Sequence, residues 1–400
     1  MNFSRGILSC CLFFFWCSAG FCHEPEYNNS SEYINPFHFE KITEGKISAR
    51  LTFPDATEFN INIFSSAEGN DEKVFTIPLV SGNKLYPLNI TPDVEHKLDI
   101  ELDLRYNYCK VFVDGDWLTS VLSKKQYEYV NGISTECSQC IDKGLILNNL
   151  QSEGIIHEKT KPLKIVAFGN STTAYRKTIT AVYSQRLPEY FKKHNIPVQV
   201  FNEGIGGSHT GHHSDNDLHK IRHALDRFED AVLAKDPDFV TFNFGLNDSW
   251  VDSKDPAGES RIPVNKYKEN LLYMINTLKN KNINIILLTP NAFGDKYELW
   301  RYKRTEKYAR AVRSVARKEN LPLIDQWKIM TRLPGKKGPQ LEDYLLPDEM
   351  HTNDLWHKIS AETIADLIID IINHPENNTN QKTINKPLTT EKRNNAENIR

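Results

Sequence analysis

The chain has 400 residues, 39% hydrophobic and 25% charged, the balance of a folded globular protein with room for one large domain or two ordinary ones. Lysine and arginine total 49 against 52 acidic residues, a net charge of −3. That balance excludes nucleic acid and anionic membrane surfaces as electrostatic partners.

In chain order, Arg5 is followed by an apolar run from Gly6 to Phe21. About 16 apolar residues are short for a membrane span and suit the core of a signal peptide. Residues 1–22 are therefore read as a signal peptide with small residues at Ser18, Ala19 and Gly20 near the cut, and the mature chain is expected to be secreted or periplasmic. Lipoprotein anchoring through Cys22 is the less well matched rival, because Phe21 precedes it. No later stretch approaches the ~20 apolar residues of a membrane helix, so no transmembrane segment is expected in the mature chain.

Residues 36–135 read as a β-sandwich accessory domain. Ile47, Ala49, Leu51 and Phe53 alternate with polar neighbours, as do Phe59, Ile61 and Ile63, and then Leu98, Ile100, Leu102 and Leu104. Period-two alternation broken by Gly, Asn, Asp and Pro marks half-buried strands. The stretch Tyr106 to Trp117 reads as a strand ending in an Asp114-Gly115 turn and resembles the hairpin of laminin-G and concanavalin-like jelly rolls. A connector is expected over 136–160. Three cysteines follow the leader, Cys109, Cys137 and Cys140. They are too few for a four-ligand zinc site and are read as disulfide candidates of an exported chain.

From 161 to 374 the rhythm changes. Apolar strands at 164–168, 198–202, 239–244, 283–289 and 321–325 alternate with amphipathic helices near 178–194, 216–234, 264–281, 300–319 and 355–373. Strict alternation predicts a parallel sheet covered on both faces, a three-layer α/β/α domain. The Asn-, Lys- and Thr-rich tail at 375–400 has almost no apolar residues and is read as disordered.

Ligands of open parallel sheets bind beyond the carboxyl ends of the strands, so the residues following each strand matter most. After the first comes Gly169-Asn170-Ser171, and after the second Gly204-Ile-Gly-Gly207-Ser-His209. Gly245-Leu-Asn247-Asp248 follows the third, and Asp348-Glu-Met-His351 precedes the last helix. One edge thus gathers a hydroxyl, glycine-rich backbone amides, a carboxamide and an Asp/His pair, the set acyl transfer needs. Neither Ser171 nor Ser208 lies in the Gly-x-Ser-x-Gly elbow of the α/β-hydrolases, since Thr173 and Thr210 stand at the last position.

Over roughly residues 162–374 these four blocks, in this order, resemble the SGNH (GDSL-like) hydrolases, serine esterases with a flavodoxin-like sheet. The resemblance implies Ser171 as nucleophile, His351 as the base that takes and returns its proton, and Asp348 as the carboxylate orienting the imidazole. It implies an oxyanion hole of the backbone N–H groups of Ser171 and Gly207 and the side-chain amide of Asn247, with no metal or other cofactor. Asn170 replaces the family's usual aspartate before the serine, which changes local hydrogen bonding and leaves the triad intact.

His209, His212, His213, His219 and His223 are irregularly spaced and fit no metal template, so they read as a solvated or substrate-facing loop, with His209 a candidate substrate contact. Trp250 and Trp300 follow the third and fourth strands and are further candidate substrate contacts. The Lys/Arg-rich helix at 301–318 reads as a solvated face. Asn-x-Ser/Thr sequons occur at Asn28, Asn29, Asn89, Asn170, Asn247 and Asn377. A glycan on Asn247 is incompatible with an oxyanion donor there, which favours a bacterial export route. The chain is therefore expected to be an exported serine esterase acting on O-acyl, foremost O-acetyl, esters of a glycan or another small ester. A lipid or phospholipid acyl hydrolase and an inactive glycan-binding surface protein are the alternatives.

Overall fold

The computed structural model describes residues 20–21, 37–52, 58–67, 70–80, 94–137, 146–158, 161–216, 218–253, 255–331, 340–374 and 383–384. Its first half is all β. The strands are β1 (Gly20–Phe21), β2 (Phe37–Ile42), β3 (Glu44–Thr52), β4 (Glu58–Ala67), β5 (Asn70–Val80), β6 (Glu95–Asp103), β7 (Tyr108–Val113), β8 (Asp116–Leu122), β9 (Val130–Cys137) and β10 (Ile146–Ile155). They form two antiparallel sheets, ordered β1-β10-β3-β6-β7-β8 and β2-β9-β4-β5. The alternating residues supply the shared core: Ile47, Ala49 and Leu51, Ile61 and Ile63, and Leu98, Ile100 and Leu102 are all buried in it. Asp114 and Gly115, both at positive φ, form the two-residue turn between β7 and β8.

Two expectations change here. Residues 146–155 lie in the stretch read as a connector, yet they form β10, whose whole length pairs with β3. Its sequence, Ile146-Leu-Asn-Asn-Leu150, carries a bulge between Asn148 and Gln151 that breaks the period-two signal. Cys109 is a free thiol with no exposed surface, facing the sandwich core, so it is not half of a disulfide. Burial pushes its pKa up, which leaves it unreactive. The side chain of Cys137 and all of Cys140 lie outside the described residues.

The second half is a parallel sheet with helices on both faces. Its elements are β11 (Leu163–Gly169), α1 (Tyr183–Lys192), β12 (Val198–Gly204), α2 (Ala224–Ala231), β13 (Phe239–Asn243), α3 (Val264–Lys279), β14 (Asn284–Leu288), α4 (Leu299–Glu319), β15 (Leu323–Ile324), α5 (Gln326–Thr331), α6 (Asp354–Asn373) and β16 (Thr383–Ile384). The strand order β12-β11-β13-β14-β15-β16 reverses direction around β11, the topological switch point of a flavodoxin-like sheet. Side chains alternate between the two layers. Ile165, Ala167, Ile286 and Leu288 pack with α1 and α6, while Val166, Phe168, Ile285 and Leu287 pack with α2, α3 and α4. The tail read as disordered contributes β16, which pairs with β15 and buries Ile384. Helix α2 begins later than the periodicity predicts, because residues 209–216 and 218–223 fold as a hydrogen-bonded loop.

The register fixes where the loops emerge. Gly169 is level with Gly204 on one side and Asn243 on the other, Asn243 with Leu288, and Leu288 with Ile324. Whatever follows each strand therefore leaves from one line. The sandwich packs on the α1 face: Tyr106, Tyr108 and Leu122 join the core of Tyr183, Leu187 and Phe191. Around that contact Lys110 pairs with Glu189, and Lys192 with Glu44 and Asp103. Among the described residues no helix is long and apolar enough to cross a membrane.

Candidate active site

The turn after β11 sets Ser171 at the switch point. The Asn170 carbonyl accepts from the N–H groups of Thr173 and Ala174 at 3.0 Å each. The Asn170 side-chain oxygen accepts from the Thr172 N–H and hydroxyl at 2.9 and 2.8 Å. An aspartate would accept the same two bonds. Asn170 is 1% exposed. Gly169 and Gly204 let this turn approach the strands, since a Cβ on Gly204 would meet Ala174 N at 2.2 Å and one on Gly169 would meet Thr173 Oγ1 at 2.2 Å. Asn202 ties β12 to the turn by donating to the Thr173 carbonyl at 2.8 Å.

From the far end of the chain, the loop before α6 brings in His351. Its Nε2 accepts from the Ser171 hydroxyl at 3.0 Å, and its Nδ1–H donates to Asp348 Oδ2 at 2.7 Å. The other carboxylate oxygen of Asp348 accepts from the Met350 and His351 N–H groups at 2.9 Å each, which fixes it within one local turn. Burial alone would raise the Asp348 pKa, but these bonds and the imidazole hold it below its usual 3.8. Burial lowers the His351 pKa below 6.5; the Asp348 bond opposes this, and the charge of Arg176 adds to the lowering.

Gly207 sits at φ +78°, a conformation that favours glycine, and a Cβ there would strike the His219 ring at 2.8 Å. Asn247 is half-buried. Its Nδ2 donates to the Ser208 carbonyl at 3.1 Å, and its Oδ1 accepts from Arg261 Nη1 at 3.4 Å. Arg261 in turn grips Asp252 through Nε and Nη2 at 2.9 and 2.6 Å. Asp252 also accepts from Asn216 Nδ2 at 3.0 Å, and the Asn216 carbonyl accepts from His209 Nε2–H at 3.3 Å. His209 follows Ser208, so these bonds close a ring. The ring fixes the amide of Asn247, because a flipped carboxamide would set its NH2 against the Arg261 donor and its oxygen against a carbonyl.

Asp248 joins the second and third loops from beneath. Wholly buried, it accepts from the Thr210 N–H at 2.8 Å, the Thr210 hydroxyl at 2.5 Å and the Gly245 N–H at 3.0 Å. Burial pushes its pKa up to about 6 against the pull of those donors.

Ser171, His351 and Asp348 thus meet as the motifs predicted. His209 does not face a substrate. It has no exposed surface, stacks on His223 at 3.5 Å, and uses both ring nitrogens, Nδ1 accepting from the Gly211 N–H at 3.2 Å. The loop is polar enough to look solvated, but its backbone donors need acceptors, and buried imidazoles supply them. Trp250 and Trp300 are half-buried, with the Arg301 guanidinium 4.3 Å from each ring, so each has a face committed to internal stacking. Arg176, Asp252 and Arg261 carry no signal in the sequence, because they lie in no motif of fixed spacing. Asp248 carried a signal as the last residue of Gly-x-Asn-Asp. Among the described residues no group of three or more His, Cys, Asp or Glu side chains is arranged to hold a metal ion.

A model of the GDSL-like lipase/acylhydrolase family matches residues 167–368. The chain is 26% identical over 197 residues to an acetylxylan esterase of Geobacillus stearothermophilus, covering 49% of this chain and 80% of that protein. It is 27% identical over 197 residues to the uncharacterized lipoprotein YqeF of Bacillus subtilis, covering 44% and 74%. Among solved structures it is similar to Axe2, an acetylxylan esterase from Geobacillus stearothermophilus, at 22% identity and a TM-score of 0.41, over 52% of this chain and 93% of the other.

Proposed function

The chain belongs to the GDSL-like lipase/acylhydrolase family, and we propose that it is an exported carbohydrate esterase that removes O-acyl groups, O-acetyl foremost, through an acyl-serine on Ser171. It is a serine ester hydrolase of the SGNH type. The observation that carries the proposed mechanism is the 3.0 Å contact of Ser171 Oγ with His351 Nε2, backed by Asp348 at 2.7 Å.

In this mechanism Ser171 Oγ attacks the ester carbonyl while its proton passes to His351 Nε2. Asp348 stabilises the imidazolium that results. The oxyanion receives the backbone N–H groups of Ser171 and Gly207 and the Nδ2 hydrogen of Asn247 that Ser208 leaves free. His351 then returns its proton to the departing alkoxide. Water attacks the acyl-serine with His351 again as base, releasing the acid and restoring the serine. A sugar alcohol is supported by the described activity of the acetylxylan esterase relative. Export is supported by the basic and apolar leader at residues 1–22 and by a lipoprotein among the relatives.

The test is labelling with a fluorophosphonate probe, followed by turnover of 4-nitrophenyl esters from acetate to palmitate and of acetylated xylan. The wild-type chain labels, Ser171→Ala does not, and acetate and acetylated xylan turn over faster than long-chain esters. Equal labelling of both chains removes Ser171 as the nucleophile. Turnover confined to long acyl chains replaces the glycan reading with a lipid one.

A further inference from the structure

The hydrolase half contains a guanidinium whose charge is unanswered. Among the described residues of this half, the other arginines that are not exposed make closer contacts: Arg186 pairs with Asp354, Arg261 with Asp252, Arg301 with Glu298 and Arg313 with Asp325, while Arg227 and Arg304 each donate to two backbone carbonyls. Arg176 is half-buried five residues after Ser171. Its one hydrogen bond among the described residues is a long one, 3.5 Å from Nη2 to the Ser171 carbonyl. No described carboxylate lies in ion-pair range of it. Asp348, whose charge acts on it, already has both oxygens on His351 and Met350.

That position works against the proposed chemistry. A cation beside the nucleophile opposes the imidazolium that His351 must become, and burial without a partner disfavours the guanidinium itself. Both effects reverse when an anion sits against Arg176. Four of its five N–H donors have no hydrogen-bond partner among the described residues, and such donors form the fork that grips a carboxylate through two parallel bonds. Tyr175, the preceding residue, is exposed.

We propose that Arg176 is a substrate-binding residue that pairs with a carboxylate carried by the ester, making acidic esters the preferred substrates of this site. The proposal rests on Ser171 being the nucleophile, and it deepens that reading by naming the charge of the substrate. A carboxylate reaches Arg176 either from the alcohol side, as in a uronic acid sugar, or from the acyl side, as in a dicarboxylic half-ester.

Two substrate pairs separate these sources. O-acetylated galacturonate oligosaccharides are compared with O-acetylated xylo-oligosaccharides, and 4-nitrophenyl hemisuccinate with 4-nitrophenyl butyrate. In one pair the acidic member has the higher kcat/KM, and Arg176→Ala lowers the acidic-to-neutral ratio about tenfold, chiefly through KM. Arg176→Lys keeps the charge without the fork and falls between, and Arg176→Glu lowers the ratio further. A ratio unchanged by Arg176→Ala in both pairs overturns the proposal. Calorimetric titration of Ser171→Ala with galacturonate oligosaccharide and with succinate reads the site without turnover. One of them binds, and binding weakens about tenfold when Arg176→Ala is added. If no ester is hydrolysed but this binding is seen, the esterase reading fails and the anion site stands. If neither ligand binds, the anion site falls whatever the esterase result.

Discussion

At the scale of single residues, position within the hydrogen-bond network matters more than residue type. Asn247 donates one amide hydrogen to the Ser208 carbonyl, and Arg261 fixes which way the amide faces. Under the proposed mechanism Asn247→Ala lowers kcat by about 10²–10³ with KM little changed. Arg261→Met acts through Asn247 and lowers kcat by about tenfold on its own, but by less than about twofold in the Asn247→Ala background. A purely structural arginine gives equal losses in both backgrounds, so steady-state kinetics of the four chains separates the two roles. The pH profile tests His351. Its pKa is held below 6.5, so kcat/KM rises from acid to a plateau with its midpoint below 6.5, the imidazole being required neutral. Removing the charge of Arg176 by Arg176→Ala moves that midpoint upward. The motif residues Ser171, Asn247, Asp348 and His351 were legible because each lies beside glycines or acids at a fixed short spacing. Arg176 and Arg261 were not, because an arginine in a polar loop carries no spacing signal and is defined only by what the fold sets against it.

At the scale of elements, the sandwich is tied to the segment that follows Ser171. Thr119 Oγ1 donates to the Thr180 carbonyl at 3.0 Å, Gln185 donates to the Ser120 carbonyl, and the Trp117 ring lies 4.8 Å from the Arg186 guanidinium. Arg186 pairs with Asp354, three residues after His351, and Asp354 also accepts from the Thr180 N–H at 3.0 Å. Residues 161–400 expressed alone expose Tyr183, Leu187 and Phe191 where Tyr106, Tyr108 and Leu122 covered them. Each large apolar side chain uncovered costs about 1.5–3 kcal/mol, so thermal unfolding of this fragment falls by at least about 5 °C relative to the full chain. An unchanged Tm removes the buttressing role. A fragment of the sandwich must run to residue 155, because ending at 135 deletes β10 and leaves an edge of β3 unpaired. Period-two alternation revealed β3, β4 and β6, whereas the bulged β10 and the two-residue β16 had too little pattern to announce themselves.

At the scale of the whole molecule, three buried histidines make the fold sensitive to acid. His209, His223 and His357 each accept a backbone N–H at Nδ1, from Gly211, His209 and Tyr183. Protonating any of them breaks that bond and charges a buried ring. Burial accordingly lowers the pKa of His209 and His223 to about 4 and of His357 to about 3. The unfolded chain takes protons near 6.5 that the folded one refuses. These groups therefore contribute full stability above pH 6.5 and lose it as pH falls toward 4. Asp248 works in the opposite direction, since its raised pKa favours the folded form as acid protonates it. Three histidines outweigh one carboxyl, so Tm falls between pH 6.5 and 4.5, and His357→Gln flattens that slope. A Tm that stays level across this window in the wild-type chain rules out the assignment of neutral buried imidazoles.

By itself the sequence determined the class of the fold and the identity of the motif residues, because strand and helix periods and the residues ending each strand are local properties. Only the tertiary structure decided what those residues touch. Parallel strands bonded in register bring Gly204, Gly169, Asn243 and Leu288 level, and that alignment joins Ser171 to His351 across 180 positions. The burial of His209 and Cys109, the ring around Asn247 and the unmatched charge of Arg176 likewise arise from packing between distant segments, whose spacing along the chain bears no relation to their distance in space.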